Sequence, residues 1–568
     1  MKNIFFRRCF AFFVLILAIP TQFIAQTGYP SVRKKHEKQV LENLYDHSRY
    51  SAASGNLTSP PYTYSTREIS TVQVNLNAQG LNILGDAANE PSIAFNPKNP
   101  GNMVIGWRQF DTIGSNFRQA GYAYTFTGGE TWTFPGVIDP GVLRSDPVLD
   151  CDGEGNFYFS SLALSTSGLW CDVFKSFDGG VTWDTGTYAY GGDKQWMSVD
   201  ITSGNCYINW SSVGPCSPDI FTRSTNQGIS YEGCSSIPGE PYWGTSTINR
   251  QGELFVCGAQ NEDFVVARSS DAQLPGQAVT WDYSSTLNLD GSIVAFAGNA
   301  NPNPAGLLGQ ATIAVDTGSS PYSGTLYLVC SVERKSTADP CDLMFSRSRD
   351  GGLSWSSPLR INSDTNQDAW QWFGSISVAP NGRIDVTWLD TRENPGTLLS
   401  NLYYAWSVDG GDTWSENFSL SESFDPHIGW PVQMRMGDYF DMFSDNSGAY
   451  LAWAATFNGG QDVYFSVIKP EISGIENPSG KWSVSLFQNY PNPCKNSTII
   501  PFFLPASQVV ILELYSPSGV MIQPLLHQFL ASGRHEITVN TSTLPGGIYF
   551  YRLRTKDLTL FKKLVTAN

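Results

Sequence analysis

The sequence predicts an all-β protein built as a seven-bladed β-propeller followed by a small β-sandwich. Three observations predict it. A tight hairpin recurs as SFDGGVTW at 176–183, SRDGGLSW at 348–355 and SVDGGDTW at 407–414. A longer unit, an apolar strand, a Gly-containing turn and a second apolar strand, begins seven times between residue 91 and residue 439, which is the periodicity of a radially repeated sheet protein. After residue 485 the repeat stops and short alternating strands with turn punctuation take over.

At 568 residues the chain is too long for one ordinary domain and long enough for a large repeat domain with an appendage. Only 15% of residues are charged while 13% are aromatic, a bias towards strands and towards sugar or peptide surfaces. The net charge of −16 argues against nucleic acid or an anionic membrane as partner. Residues 1–25 have the form of a secretory signal peptide, with Lys2, Arg7 and Arg8 ahead of an apolar run from Phe10 to Ile19. The run is short for a bilayer span, and no transmembrane segment is expected in the mature chain. Removal of Cys9 with the leader leaves an odd number of cysteines in an oxidising compartment. Cys206 with Cys216, and Cys330 with Cys341, flank hairpin loops and are expected to pair, with Cys151 and Cys171 a looser pair. No cysteine or histidine spacing suits a metal, and no cofactor motif occurs.

Residues 26–68 are expected to hold one charged helix, over Val32–His47, and a linker of turn composition at 51–65. The propeller is placed at 69–471. Its repeats read PSIAFNPKNPGNMVIGW at 91, DPVLDCDGEGNFYFSS at 146, MSVDITSGNCYINW at 197, STINRQGELFVCG at 246, ATIAVDTGSSPYSGTLYLV at 311, GSISVAPNGRIDVTW at 374 and YFDMFSDNSGAYLAW at 439. The seventh unit is one strand short, and the alternating, β-branched stretch Thr71–Leu76 is expected to complete it and close the ring. DCDGEGN at 150–156 has carboxylates at alternate positions, but the aligned units read SDNSGA, APNGR and NRQGE there, so a strand-connecting turn is expected and not a calcium loop.

In the recurrent hairpin, Gly179 and Gly180 supply positive φ, and the Asp178 carboxylate is placed to accept turn amides and the Ser176 hydroxyl. TFTGGETW at 125–132, STNQGISY at 224–231 and SSDAQLPGQAVTW at 269–281 are weaker copies. The pattern Ser-x-Asp-x-Gly-x-Thr-Trp resembles the Asp box of sialidase-like propellers. The resemblance implies that Asp178, Asp350 and Asp409 are scaffold on the rim opposite the pocket. Seven units depart from the six blades usual in catalytic members.

Residues 472–484 are expected to be a linker, and 485–568 an Ig-like sandwich of about seven strands. FQNYPNP at 487–493, YSPSG at 515–519, GGIYFYRLRT at 546–555 and KKLV at 562–565 resemble the type A sorting domain of type IX secretion in Bacteroidetes. That resemblance implies the secretion machinery as a partner, and export across periplasm and outer membrane to the medium or the cell surface.

In a propeller the innermost strand of each blade begins, and the second strand ends, on the face that carries the pocket. Equivalent repeat positions therefore converge on one mouth. They bring there the carboxylates Glu90, Asp146, Asp390 and Asp438 as catalytic candidates. Arg108, Arg392, Arg435, Trp107 and Trp430 come as ligand-binding candidates, among neighbours that include Gln195, Gln310 and Trp243. Tryptophan faces stack on sugars, guanidiniums fork onto carboxylates, and paired carboxylates serve as acid and base in glycoside hydrolysis. True sialidases carry their first arginine in a Phe-Arg-Ile-Pro stretch, which FRQA at 117 and LRIN at 359 only approach, so catalytic identity is not carried over. Two functions remain open: a glycan-engaging, exo-acting glycoside hydrolase on acidic sugars, or a non-catalytic adhesin or binding module for a glycan or glycoprotein. A peptidase finds no motif.

Overall fold

The computed structural model describes residues 57–470, apart from 166–167, 212 and 296–299, and residues 484–567, apart from 487, 490, 505–506, 518, 532 and 557. The leader and the helix expected over Val32–His47 lie outside the described residues. The described chain is all-β, with no helix among the described residues.

Seven antiparallel sheets follow one another in chain order from Ala87. Their first strands are Ala87–Asn96, Arg144–Cys151, Trp196–Val199, Ser246–Ile248, Thr312–Val315, Gln371–Val378 and Asp441–Ser444. Each packs beside the next, and the seventh packs beside the first, so the sheets form a ring. A side-chain hydrogen bond crosses each junction. Leu149 N donates to Ser92 Oγ (3.0 Å) between the first and second sheets, and Val199 N to Asp150 Oδ2 (2.7 Å) between the second and third. Ser92 Oγ donates to Asp441 Oδ2 at 2.6 Å where the seventh sheet meets the first. Second strands such as Phe157–Ser165 are buried along nearly their whole length because sheets cover both faces, which is why they read as continuous apolar runs.

The ring closes with sequence from its own beginning. Ile69–Gln73 pairs antiparallel with Asp462–Ile468, in register Ile69↔Ile468 to Gln73↔Tyr464, and Val74 N extends the ladder to Val463 O at 2.8 Å. The strand thus starts two residues before the expected Thr71, and Leu76 leaves the ladder to bridge Asn82. Thr63–Ser65, within the stretch expected to be linker, adds a further strand beside it, and Thr58–Ser59 pairs with Asn82–Ile83.

The recurrent hairpin has one geometry throughout. In the second sheet Ser176 Oγ donates to Asp178 Oδ1 (2.8 Å) and accepts Gly180 N (2.8 Å), while Asp178 accepts Thr182 N (2.9 Å) and Thr182 Oγ1 (2.6 Å). Ser348 with Asp350 and Ser407 with Asp409 repeat the pattern, and Asn226 stands in for the carboxylate in the third sheet. These bonds favour the ionised carboxylate and draw Asp350 down to about 2. The hairpin tryptophans bind one sheet to its predecessor. Trp183 sits edge-on to Tyr122 of the first sheet and Phe159 of the second, and Trp132 of the first sheet meets Phe465 of the seventh at 5.2 Å. At Gly129, with φ +90°, a Cβ would overlap the Phe465 ring, so glycine is needed there both for the turn and for ring closure.

The cysteine pairing differs from expectation. The disulfide joins Cys216 to Cys234, whereas Cys206, Cys330, Cys341, Cys151 and Cys171 are buried free thiols. Strand register explains it: Cys330 lies opposite Met344, three residues past Cys341, and Cys151 and Cys171 oppose different parts of the same strand. The 150–156 stretch is a turn, as expected, with Asp152 accepting Glu154 N (2.9 Å), Asn156 N (3.0 Å) and Tyr158 OH (3.0 Å).

In the tail, a sheet of Ser485–Leu486, Ser497–Leu504 and Gly533–Asn540 and a sheet of Gln508–Tyr515, Met521–Leu530, Gly547–Arg554 and Thr559–Thr566 share one core. Phe502, Leu512, Leu514, Tyr551 and Leu553 lie within it.

Candidate functional site

The site begins in the backbone. At or just ahead of each first strand one residue turns left-handed: Glu90 (φ 57°), Asp146 (50°), Lys194 (57°), Trp243 (54°) and Phe373 (56°), with Gly309 and Gly437 at the same place in the fifth and seventh sheets. The strand pairing slips at this point in the first, second and sixth sheets. Left-handed non-glycine residues cost roughly 1–2 kcal/mol each, and such bulges re-aim side chains. Here the repeated strain brings Glu90, Asp146 and Lys194, from three consecutive sheets, into one buried group with Asp438, the residue after Gly437.

Eight charged side chains make up this group: Arg108, Arg118, Lys194 and Arg435 against Glu90, Asp146, Asp193 and Asp438, all at most 3% exposed. Asp438 is its hub. Its Oδ2 accepts Lys194 Nζ in a short ion pair and lies 3.5 Å from Arg435 Nη1, while its Oδ1 accepts Leu307 N at 2.7 Å. Burial opposes its ionisation, but Lys194, Arg435 and Arg108 hold the carboxyl far below the usual range. Asp146 accepts Ser145 Oγ (2.6 Å) and Lys194 N (3.0 Å). Gln433 Oε1 joins two arginines, accepting Arg108 Nη1 (3.0 Å) and Arg435 Nε (3.2 Å).

Glu90 is in the opposite state. Arg108 Nε approaches its Oε2 to 2.9 Å, yet the Nε hydrogen is directed to Asn89 Oδ1 at 2.8 Å, and neither Glu90 oxygen has a hydrogen bond. Burial pushes the Glu90 carboxyl up to about 8; Arg108 pulls against this, and Asp146 and Asp438 add to it.

Arg118 has a different environment again. Its Nε donates to Ser145 Oγ (3.0 Å) and its Nη1 to Asn116 O and Oδ1 (3.1 and 3.2 Å), all neutral acceptors, and no carboxylate of the described residues lies within ion-pair distance. Burial, then Arg108 and Arg435, lower it to about 9, which leaves the cation intact at neutral pH. It lines a small cavity together with Leu143, Ser145, Asp146, Leu162, Leu164, Leu169 and Asp193.

Two segments cross over this group. Asn303 accepts Met436 N (2.8 Å) and donates to Gly437 O (2.8 Å), Ala305 O accepts Arg435 Nη1 (3.4 Å), and the His427 ring meets Asn301 O (2.9 Å).

Among the residues expected at the mouth, Glu90, Asp146, Asp438, Arg108 and Arg435 do come together. Arg392 and Asp390 do not join them, a correction to the expected arginine trio. Asp390 Oδ2 accepts Arg392 Nε (2.9 Å) and Nη2 (2.6 Å) and Trp388 Nε1 (2.7 Å), while the guanidinium covers the Tyr403 ring at 4.4 Å and pairs with Asp364 at 3.4 Å. The third arginine is Arg118, from the FRQA stretch. Trp107 is also corrected: it is fully buried, bonded to Gln109 Oε1 (2.7 Å) and packed on Phe134, with no face for a sugar. Trp430 is half-buried on the crossing segment, its ring 4.5 Å from His427. Lys194 was overlooked, although aligning DKQWMSV with NEPSIAF and SDPVLDC places it level with Glu90 and Asp146.

Residues 488–567 match the family described as Secretion system C-terminal sorting domain. The chain therefore carries a type IX sorting domain, which marks it for export to the medium or the cell surface through that machinery. No curated protein matches the sequence. Solved structures similar to it include a protein of unknown function from Dyadobacter fermentans DSM 18053, at 13% identity and TM-score 0.42, covering 71% of this chain and 98% of that one. The phage phi92 endosialidase aligns at 9% identity and TM-score 0.41, covering 82% and 75%. An α-L-arabinofuranosidase from Fusarium graminearum aligns at 12% identity and TM-score 0.28, covering 72% and 98%. Likenesses this distant carry no argument about chemistry, which rests on the site's own geometry.

Proposed function

We propose that the seven sheets are the blades of an Asp-box propeller joined to an Ig-like sorting domain, and that the exported protein engages acidic glycans at the buried charged group. One observation carries the reading: Arg118 is a buried cation on a cavity wall whose hydrogen bonds go only to neutral groups. A buried guanidinium is costly without a counter-ion, and a ligand carboxylate supplies one in bidentate geometry. Arg108 and Arg435 add to the positive field at that point.

Chemistry follows from the two carboxyls held in opposite states. Glu90, neutral and without hydrogen bonds, is suited to protonate a leaving oxygen; Asp438, ionised by its cations, is suited to stabilise positive charge developing on a sugar ring. The covered site suits removal of a terminal acidic sugar and not cleavage within a chain. A non-catalytic adhesin or binding module uses the same Arg118 anchor and differs only in turnover.

The test is calorimetric titration of the full-length protein with N-acetylneuraminic acid and glucuronic acid, with hydrolysis of their 4-methylumbelliferyl glycosides followed in parallel. Arg118→Met is expected to cost about 2–5 kcal/mol of binding. Unchanged affinity in that variant removes the acidic-glycan reading. Saturable binding without hydrolysis selects the binding module.

A further inference from the structure

Arg108 stands beside Glu90 but directs its hydrogen bonds elsewhere. Asn89 is its cross-strand partner in the first sheet, and the register slips immediately after Asn89, where Glu90 turns left-handed. Arg108 Nε donates to Asn89 Oδ1 at 2.8 Å and Nη1 donates to Gln433 Oε1 at 3.0 Å, so both bonds end on neutral amides. Glu90 Oε2 is 2.9 Å from the same Nε and receives no hydrogen bond.

The orientation of Asn89 is imposed from the seventh sheet. Asn89 Nδ2 donates to Gln461 Oε1 at 2.6 Å, and Gln461 Nε2 donates to the carbonyl oxygen of Arg435 at 3.1 Å. The backbone holds Gln461 in place, its carbonyl accepting Ala88 N at 2.7 Å. One end of this chain, Arg435 O, can only accept, and the other, Arg108 Nε, can only donate. The two amides between them satisfy all three bonds in a single orientation. Turning either one sets donor against donor and acceptor against acceptor. Asn89, Glu90, Arg108 and Gln461 are fully buried, so a bond lost here is not made good by bulk water.

We infer that Asn89 and Gln461 are positioning residues, an amide relay that holds the Arg108 Nε hydrogen away from Glu90 and thereby keeps Glu90 protonated as the acid of the site. The acid role rests on the function proposed above; the direction of the hydrogen bonds does not. A guanidinium hydrogen pointed at a carboxyl oxygen favours the ionised form, and one pointed elsewhere withdraws that support. The other charged and titratable groups facing Glu90 are Arg118, Asp146, Lys194, Arg435, Asp438 and Tyr439, and replacing either amide leaves all of them in place.

The experiment is infrared difference spectroscopy of the full-length protein without ligand, titrated across the Glu90 midpoint near 8. The carbonyl stretch of a protonated carboxyl that disappears in Glu90→Gln reports Glu90. Asn89→Leu removes the acceptor without changing the charge. The Nε hydrogen is then expected to turn to Glu90 and lower the midpoint by about 1–2 pH units, the shift one charge-assisted hydrogen bond produces. Gln461→Met leaves Asn89 present but unanchored; it is expected to move the midpoint the same way by less, and it decides the question if Asn89→Leu does not fold. The sign separates positioning from packing, because an apolar neighbour in place of a polar one deepens desolvation and drives a buried carboxyl up. A midpoint unchanged or raised overturns the relay. A wild type with no protonated Glu90 band at neutral pH overturns the relay and the acid role of Glu90 together, and leaves Arg118 as the anchor of the acidic-glycan reading. A lowered midpoint in a protein that binds neither sugar acid supports the relay and removes only the function.

Discussion

Closure of the ring depends on one glycine, and a pair of variants isolates its contribution. Gly128 and Gly129 are adjacent in the first hairpin and both have positive φ, +69° and +90°. A Cβ on Gly128 meets nothing within 4 Å, so Gly128→Ala pays only the left-handed strain, about 1 kcal/mol after the gain from a stiffer unfolded chain. A Cβ on Gly129 overlaps the ring of Phe465, which is 1% exposed, held by Trp132 edge-on at 5.2 Å and stacked near Tyr450. With no room to yield, overpacking adds about 1–3 kcal/mol, so Gly129→Ala is expected to cost about 2–4 kcal/mol. Urea unfolding followed by tryptophan fluorescence reads the ring, because of 17 tryptophans only Trp482 lies beyond residue 470. Phe465→Leu in the Gly129→Ala background should recover part of the loss through coupling between the two sites. Equal destabilisation by the two alanine variants, or no coupling to Phe465, would refute docking of the first hairpin on the last sheet.

Two further outcomes are expected. The Glu90 carboxyl titrates near 8 in the folded chain and near 4.5 in the unfolded one, so between these values the unfolded state is the one that releases the proton. Its contribution is therefore fully present below about pH 4.5 and is lost as pH rises towards 8, at up to about 1.4 kcal/mol per pH unit. Glu90→Gln should gain on the wild type across that window in denaturation from pH 5 to 9, and parallel pH profiles would show Glu90 to be ionised in the folded protein. Deletion of residues 485–568 should leave a folded ring in the periplasm of a type IX secreting host, read by fractionation and immunoblot; delivery of the truncated chain to the surface would count against the tail as the export signal.

The sequence by itself determined what is local and repeated. The Ser-Asp-Gly-Trp hairpins, the apolar strand pairs and the motifs of the export tail each depend on residues close together in the chain. A period is visible without knowing what it packs against. Repeat alignment also set Glu90, Asp146, Asp438, Arg108 and Arg435 at one level of the ring, where the structure gathers them into one buried group. Tertiary structure alone decided which side chains meet at that level. The left-handed residue at the top of each first strand sets the direction of Glu90, Asp146 and Lys194, and nothing in the spacing of apolar residues reports it. Segments 301–307 and 427–436 then cross from the fifth and seventh repeats to cover the group, through contacts more than a hundred residues apart in the chain. Arg392 satisfies its charge on Asp390, two residues away, and so stays on its own sheet, whereas Arg118 has only neutral acceptors and stands beside the cavity. Composition gives both the same charge; the partners that neutralise it are chosen by packing.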